Sequence, residues 1–149
     1  MDANGKIRTR QKLVVQVMLA LTAVVTLGRI CVSSATAAEW NPAAFAKEDT
    51  LKLRTNCPGE GEYWFPVWLV VIDGQVYVRL GGRATQRIEG NTSAPFVGVE
   101  VAGQRFDHVR GVPAPEQAPK VMAAMADKYW SDILVRYFSH PLTLRLVPE

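Results

Sequence analysis

The sequence has few of the residues that most often form metal sites and disulfides. It contains two histidines and two cysteines among 149 residues. His108 and His140 show no metal-binding spacing, and two ligands alone do not complete a zinc site. We therefore predict no metal site. His108 alternates with Phe106 and Arg110, which predicts a hydrogen-bonded structural histidine on a strand.

The first 37 residues have the pattern of a secretory signal peptide. Basic residues at positions 6, 8, 10 and 12 precede an uncharged apolar run over residues 13–27. The small residues Ala35 and Ala37 then flank Thr36, as at a signal peptidase site. The twin-arginine export motif is missing. We predict a cleaved signal peptide over residues 1–37, one domain over residues 38–149, and export to the periplasm or beyond. The alternative is a retained N-terminal membrane anchor, because the apolar stretch approaches spanning length.

The charge of the remaining chain excludes a nucleic-acid partner. The full sequence has a formal net charge of +3. Residues 38–149 keep 12 Lys and Arg against 13 Asp and Glu, which gives a net charge of −1. Basic stripes with interleaved aromatic residues, the usual footprint of nucleic-acid binding, are also missing. After cleavage the chain has no stable membrane span.

Cys57 is the only cysteine of residues 38–149, so it cannot form a disulfide within that domain. It lies in the turn-rich sequence Asn56-Cys57-Pro58-Gly59, which predicts a loop. Because no base is evident beside it, we interpret Cys57 as an ordinary loop thiol. The alternative is a reactive nucleophile.

Residues 63–80 predict a buried β-hairpin. Asp73-Gly74 separates two β-rich segments, and both residues tolerate the positive φ of a two-residue turn. The first segment is apolar on both alternate faces, which predicts a strand covered on both sides. Pro66 lacks an N–H, so its end of the strand is an edge, a bulge or the strand start. In the second segment Arg79 leaves the apolar face just before Gly81-Gly82.

The rest of the chain predicts a small, mostly antiparallel barrel with one helix packed on it. A short helix over residues 42–46 and strands over residues 51–55, 96–101, 104–112 and 142–146 flank the hairpin. Residues 81–95 are predicted as a connection. A helix over residues 113–130 has an apolar stripe of Val121, Met122, Met125, Tyr129 and Trp130. A second short helix ends at Phe138. The fold class is α+β and mainly β, with about six strands.

The hairpin sequence resembles the split β-barrel flavin-binding superfamily of pyridoxamine-phosphate oxidase and its deazaflavin-dependent relatives. It reads Phe-Pro-Val-Trp-Leu-Val-Val-Ile-Asp-Gly-Gln-Val-Tyr-Val over residues 65–78. The order of the later elements, including Lys128-Tyr129-Trp130 and the closing strand, extends the resemblance over residues 50–147. It implies a split β-barrel with its site at the interface of a homodimer.

The resemblance also implies a cofactor, FMN or a deazaflavin, and the residues that hold it. The phosphate candidates are Arg79, Arg83, Thr85 and Arg87, and the candidates that flank the flavin ring are Trp64, Phe65, Pro66 and Val67. Arginine and hydroxyl groups suit a phosphate dianion because they form charge-assisted hydrogen bonds.

Two functions follow as alternatives. The first is a flavin- or deazaflavin-dependent oxidoreductase, in which the cofactor supplies the hydride chemistry. The second is a non-catalytic exported module that keeps the barrel, has lost the cofactor, and binds a small ligand or a protein. No side chain is identified by the sequence as a catalytic acid or base.

Overall fold

The computed structural model describes residues 39–129 and 140–149. In these residues the chain forms six strands, three α-helices and one 3₁₀ turn. In chain order they are α1 (Pro42–Phe45), β1 (Thr50–Cys57), β2 (Gly61–Ile72), β3 (Gln75–Leu80), α2 (Gly82–Glu89), β4 (Phe96–Val101), β5 (Gln104–Pro113), the 3₁₀ turn (Pro115–Gln117), α3 (Ala118–Lys128) and β6 (Leu142–Pro148).

The six strands form a closed barrel in the order β1-β2-β3-β6-β5-β4. Every neighbouring pair is antiparallel. The predicted fold class, an α+β protein with a small antiparallel barrel and one major helix, is therefore confirmed. Among the described residues, none of the helices has the length and hydrophobicity needed to cross a bilayer.

The later part of strand β2 is covered on both faces, as its sequence predicts. Phe65, Val67 and Leu69 point into the barrel, where they join the main core cluster. On the opposite face, Val70 is buried beneath α3 in a second cluster with Val121 and Met125. The two apolar faces thus pack against two different elements, the barrel interior and the major helix.

Both hairpins turn through two residues with positive φ. Asp73 and Gly74 have φ values of 50° and 72°, and Ala102 and Gly103 have 51° and 71°. The first turn has the residue pair that favours this conformation. The second places an alanine in the left-handed region, at a cost of about 1 kcal/mol, and the flanking strand pairs stabilise it.

The segment over residues 81–95 differs from its prediction as a connection, because most of it is helix α2. Gly81-Gly82 is typical of a loop, but here Gly81 is the N-terminal cap, and its carbonyl accepts a hydrogen bond from Thr85 N–H at 2.9 Å. Ala84 and Ile88 pack against the main core. Their four-residue spacing puts both on one face of the helix, so tertiary packing outweighs the glycine signal.

The major helix is shorter than its prediction. β5 continues through Pro113, and α3 begins only at Ala118. In the apolar stripe, Val121, Met125 and Tyr129 are buried, whereas Met122 is 41% exposed. Trp130, the second predicted short helix and the predicted signal peptide lie outside the described residues.

Candidate functional site

A cavity of about 430 Å³ lies where β3 separates from β2. The pairing of these strands ends at Leu69 and Val78, although β3 continues to Leu80 beside β6. We call the opening the Arg79 cavity; its lining includes Pro66, Val67, Trp68, Arg79, Met125 and His140. Pro66 falls in the part of β2 that pairs with β1 only, which agrees with its predicted position at an edge.

Arg79, His140 and Thr50 are the polar side chains that line this mostly apolar cavity. Arg79 follows the last residue of β3 that pairs with β2, and its partner in β6 is Thr143. His140 lies two residues before β6, close to the point where Leu142 pairs with Leu80. The cavity thus combines apolar walls, one permanent positive charge and one imidazole, which suits a planar ligand with an anionic group.

Sequence reasoning did not place His140 near Arg79. The two residues are 61 positions apart, and only the pairing of β3 with β6 brings them to the same end of the barrel. The closing strand, β6, was predicted, but its pairing with β3 was not. A prediction that the last strand pairs with β3 would have identified His140.

A second, smaller cavity of about 200 Å³ lies on the other side of Ala84, which lines both cavities. We call it the Arg87 cavity; the rest of its lining is Tyr63, Phe65, Arg83 and Arg87. Arg87 forms an ion pair with Glu60 at 2.5 Å, and its guanidinium carbon lies 4.2 Å from the ring centroid of Tyr63. These contacts fix Arg87 in place at the wall of the cavity.

Six of the eight predicted cofactor-binding residues line one or the other of these two cavities. Pro66, Val67 and Arg79 line the first cavity, whereas Phe65, Arg83 and Arg87 line the second. Helix α2 causes the division, because Arg83 and Arg87 are four residues apart and share a helical face, while Arg79 belongs to a strand.

Trp64 and Thr85, the remaining two, line neither of these cavities. The Thr85 hydroxyl is buried and donates to the Leu80 carbonyl at 3.3 Å, so it stabilises the start of α2. The Trp64 ring contacts the guanidinium groups of Arg105 and Arg54, whose carbons are 4.6 and 5.4 Å from its centroid.

Tyr129 and Lys128, at the end of α3, bind the open end of the β1–β2 ladder. The last ladder pair is Thr50 with Trp68. Beyond it, the Tyr129 hydroxyl lies 2.6 Å from the carbonyl oxygens of both Asp49 and Leu69, to either of which it can donate. Lys128 Nζ donates to the carbonyls of Glu48 and Leu69. These side chains fasten α3 to the barrel.

The environment shifts the pKa of both groups. Burial raises the pKa of the Tyr129 phenol to about 12. The hydrogen bond with the Leu69 backbone opposes this rise, and the negative charge of Asp49 adds to it. Burial lowers the pKa of the Lys128 ammonium, although the charges of Asp49 and Glu48 oppose that shift. Both directions follow from the cost of placing a charge away from water.

The prediction that Phe106, His108 and Arg110 alternate along a regular strand is wrong, because β5 has a bulge at His108. Val99 pairs with Phe106 and Val97 with Val109, which leaves Asp107 and His108 opposite the single residue Gly98. His108 is exposed, and its ring centroid lies 4.2 Å from that of Phe96. It lines a polar cavity of about 470 Å³.

Arg54 lies over Gly98 at the edge of this third cavity. It forms an ion pair with Asp107 at 3.1 Å. A Cβ at position 98 would lie 2.7 Å from Arg54 Nε, so a larger residue there would require the Arg54 side chain to move. Across the described residues, no group of three or more His, Cys, Asp or Glu side chains is placed to hold a metal ion.

Cys57 ends β1 rather than lying in a loop, and its thiol is half-buried. The Sγ–H donates to the Arg87 carbonyl at 3.3 Å, near the end of α2. The thiol therefore connects β1 to α2.

Comparisons with known proteins show the fold. No family model matches the sequence, and no curated protein matches it. Among solved structures, the heme storage protein HutZ from Vibrio cholerae has a TM-score of 0.54 and 21% identity, covering 72% of this chain and 87% of HutZ. Atu2129 from Agrobacterium tumefaciens, of unknown function, has a TM-score of 0.54 and 18% identity over 68% of this chain.

The chain spans about half of Atu2129, 48% of its length. Both likenesses and the closed six-stranded barrel agree with the split-barrel fold that the hairpin sequence implies.

Proposed function

We propose that the protein binds a planar, anionic cofactor in the Arg79 cavity. The observation that supports this most is the position of Arg79 at the edge of an apolar opening between two separated barrel strands. A guanidinium group is always charged and forms paired hydrogen bonds with phosphate or carboxylate. The apolar side chains of Pro66 and Trp68, on the exterior face of β2, suit the faces of an aromatic ring.

The first candidate cofactor is FMN or a deazaflavin, as the sequence resemblance implies. Arg79 would bind the phosphate, and Pro66 and Val67 would flank the ring. Arg83 and Arg87 lie beyond Ala84, where they suit a second anionic group. A bound flavin would supply hydride transfer, and the protein would act as an oxidoreductase that orients it. We include in this proposal the homodimer, with the site at its interface.

The second candidate is heme, and His140 is the observation that favours it. Imidazole is a common axial ligand of heme iron, and Arg79 suits a heme propionate. The structural neighbour HutZ is described as a heme storage protein. In this candidate the protein is a non-catalytic binding module.

Optical titration of the purified protein with FMN and with hemin tests the proposal and separates the candidates. Binding of FMN quenches its fluorescence, and binding of hemin through His140 shifts and sharpens its main absorption band. Loss of the hemin shift in His140→Ala, with FMN binding retained, identifies His140 as an iron ligand. If neither compound binds, the proposal is wrong.

The proposal includes export of residues 38–149 after removal of residues 1–37. N-terminal sequencing of the protein from separated cell fractions tests it. A chain that begins near position 38 in the exported fraction supports cleavage, and a membrane-bound chain with its original N-terminus supports the anchor instead.

A further inference from the structure

Trp68 presents a fixed aromatic surface at the wall of the Arg79 cavity. It lines the cavity and is half-buried. Its ring stacks on that of Tyr129, with centroids 4.9 Å apart and an interplanar angle of 12°. Since Tyr129 covers one face of the indole, the part of Trp68 that lines the cavity belongs to a side chain already held in one orientation.

Tyr129 is itself held at both ends. Its ring is buried in the cluster beneath α3, and its hydroxyl lies 2.6 Å from two backbone carbonyl oxygens. Rotation of Tyr129 would break those hydrogen bonds in a buried place. The Trp68–Tyr129 pair is therefore a rigid unit, and a rigid aromatic surface loses little conformational entropy when a ring binds to it.

Trp64 lies on the same face of β2, four residues earlier, and offers a direct contrast. Its ring is covered by Arg105 and Arg54, and it lies outside the cavity lining. Two tryptophans on one strand face thus have different surroundings. One stacks on a buried tyrosine beside an apolar opening, and the other contacts two arginines, Arg54 and Arg105, which form ion pairs with Asp107 and Glu100.

We propose that Trp68 is the residue on which the planar ring of the ligand stacks, and that Tyr129 is its positioning residue. This inference rests on the proposed function, because it assigns a contact to the ligand of the Arg79 cavity. It assigns the stacking contact to Trp68, whereas the sequence resemblance placed Trp64 beside the ring.

Fluorescence titration with FMN, together with hemin absorption, tests the assignment in matched variants. Truncation of an aromatic side chain on which a ring stacks lowers affinity by about 5- to 150-fold. We expect that loss in Trp68→Leu and unchanged affinity in Trp64→Leu. The reverse pattern would overturn the inference in favour of Trp64. Trp68→Phe keeps a smaller ring, and a partial loss is expected in it even if Trp68→Leu does not fold.

Two substitutions of Tyr129 separate positioning from general stability. Tyr129→Phe keeps the stacked ring and loses the hydroxyl, so it should unfold more easily and lose less affinity than Tyr129→Leu. Tyr129→Leu removes the ring, so it should bind as weakly as Trp68→Leu and lose the near-ultraviolet circular dichroism of the stacked pair. Equal losses of affinity in both variants would show that Tyr129 acts only on stability, and would overturn its role.

The failure of this inference is distinct from the failure of the proposed function. If the unchanged protein binds neither FMN nor hemin, the proposed function is wrong and the assignment of Trp68 with it. If the protein binds one of them and the Trp68 variants bind it equally well, only the assignment is wrong.

Discussion

The two faces of β2 differ in chemistry although they share one backbone. The interior face is uniformly apolar, and Leu69 on it is fully buried in the barrel. The exterior face changes along its length. Trp64 contacts two arginines, and Pro66 is exposed beside the Arg79 cavity. Trp68 stacks on Tyr129, and Val70 is buried under α3.

The difference shows how one strand serves both the fold and a site. The interior must be filled by well-packed apolar side chains, so it tolerates little variation. The exterior is covered by α3 over only part of its length, which leaves an opening where β3 separates. The candidate site is found where packing on the exterior face is incomplete. The following predictions test this contrast between the two faces.

The largest effect is expected on the interior face. Leu69→Ala removes a fully buried side chain and should lower the free energy of unfolding by about 2–5 kcal/mol. Urea denaturation measures it, with Pro66→Ala on the exposed face as the matched control. A loss in Pro66→Ala as large as that in Leu69→Ala would contradict the contrast between the two faces.

The next effect concerns the ligand rather than the fold. Arg79→Ala removes the charge at the cavity and should cost about 1.5–3 kcal/mol of binding free energy, which is the value of a charge-assisted hydrogen bond. Arg110→Ala is the control, because Arg110 is paired with Glu149 and lines neither the Arg79 cavity nor the Arg87 cavity. Titration with FMN and hemin gives both values. Equal affinities in the two variants would argue against Arg79 as the anion-binding residue.

A smaller effect is expected where α3 is fastened to the barrel. Tyr129→Phe loses the hydroxyl that contacts the carbonyls of Asp49 and Leu69, and only the Leu69 carbonyl keeps a side-chain donor, Lys128. We expect a cost of about 1–2 kcal/mol in unfolding free energy. Chemical denaturation at neutral pH checks this. A variant as stable as the unchanged protein would show that the hydroxyl contributes nothing to the attachment of α3.

The smallest effect is a change with pH in the stability difference between the unchanged protein and Tyr129→Phe. The folded pKa of Tyr129, about 12, is above its ordinary value of 10.0. Its contribution is therefore complete below pH 10 and is lost as the pH rises toward 12. Lys128 has the opposite effect on stability. Because its folded pKa is lower than the ordinary lysine value of 10.5, its contribution to the free energy of unfolding rises with pH up to that value.

Comparing the unchanged protein with Tyr129→Phe from pH 8 to pH 11.5 removes most of the Lys128 contribution. The stability difference between the two proteins should shrink above pH 10. A constant difference over that range would contradict the raised pKa of Tyr129.

The parts of the fold that depend on local sequence could be predicted. Asp73-Gly74 determines its turn, and the apolar residues of β2 show that both faces are covered. The strand boundaries of β4 match the prediction over residues 96–101. Local patterns are sufficient here because turn geometry and strand alternation involve neighbours in the chain.

The site depends on contacts between distant residues, and the sequence alone could not show them. Helix α2 forms because Ala84 and Ile88 pack against the barrel core, despite the glycines at its start. The division of Arg79 from Arg83 and Arg87 follows from that helix. His140 joins the cavity only through the pairing of β6 with β3, and Trp68 becomes fixed only when Tyr129 packs on it.

The central claim is that the ligand binds where β3 separates from β2. Amide chemical-shift mapping by NMR during titration with FMN, or with diamagnetic zinc protoporphyrin in place of heme, tests it most directly. The account predicts that the shifts concentrate at Trp68, Arg79, Gly81, Ala84 and Met125. Shifts concentrated instead at Arg54, Gly98 and His108, around the polar cavity of the β5 bulge, would contradict it.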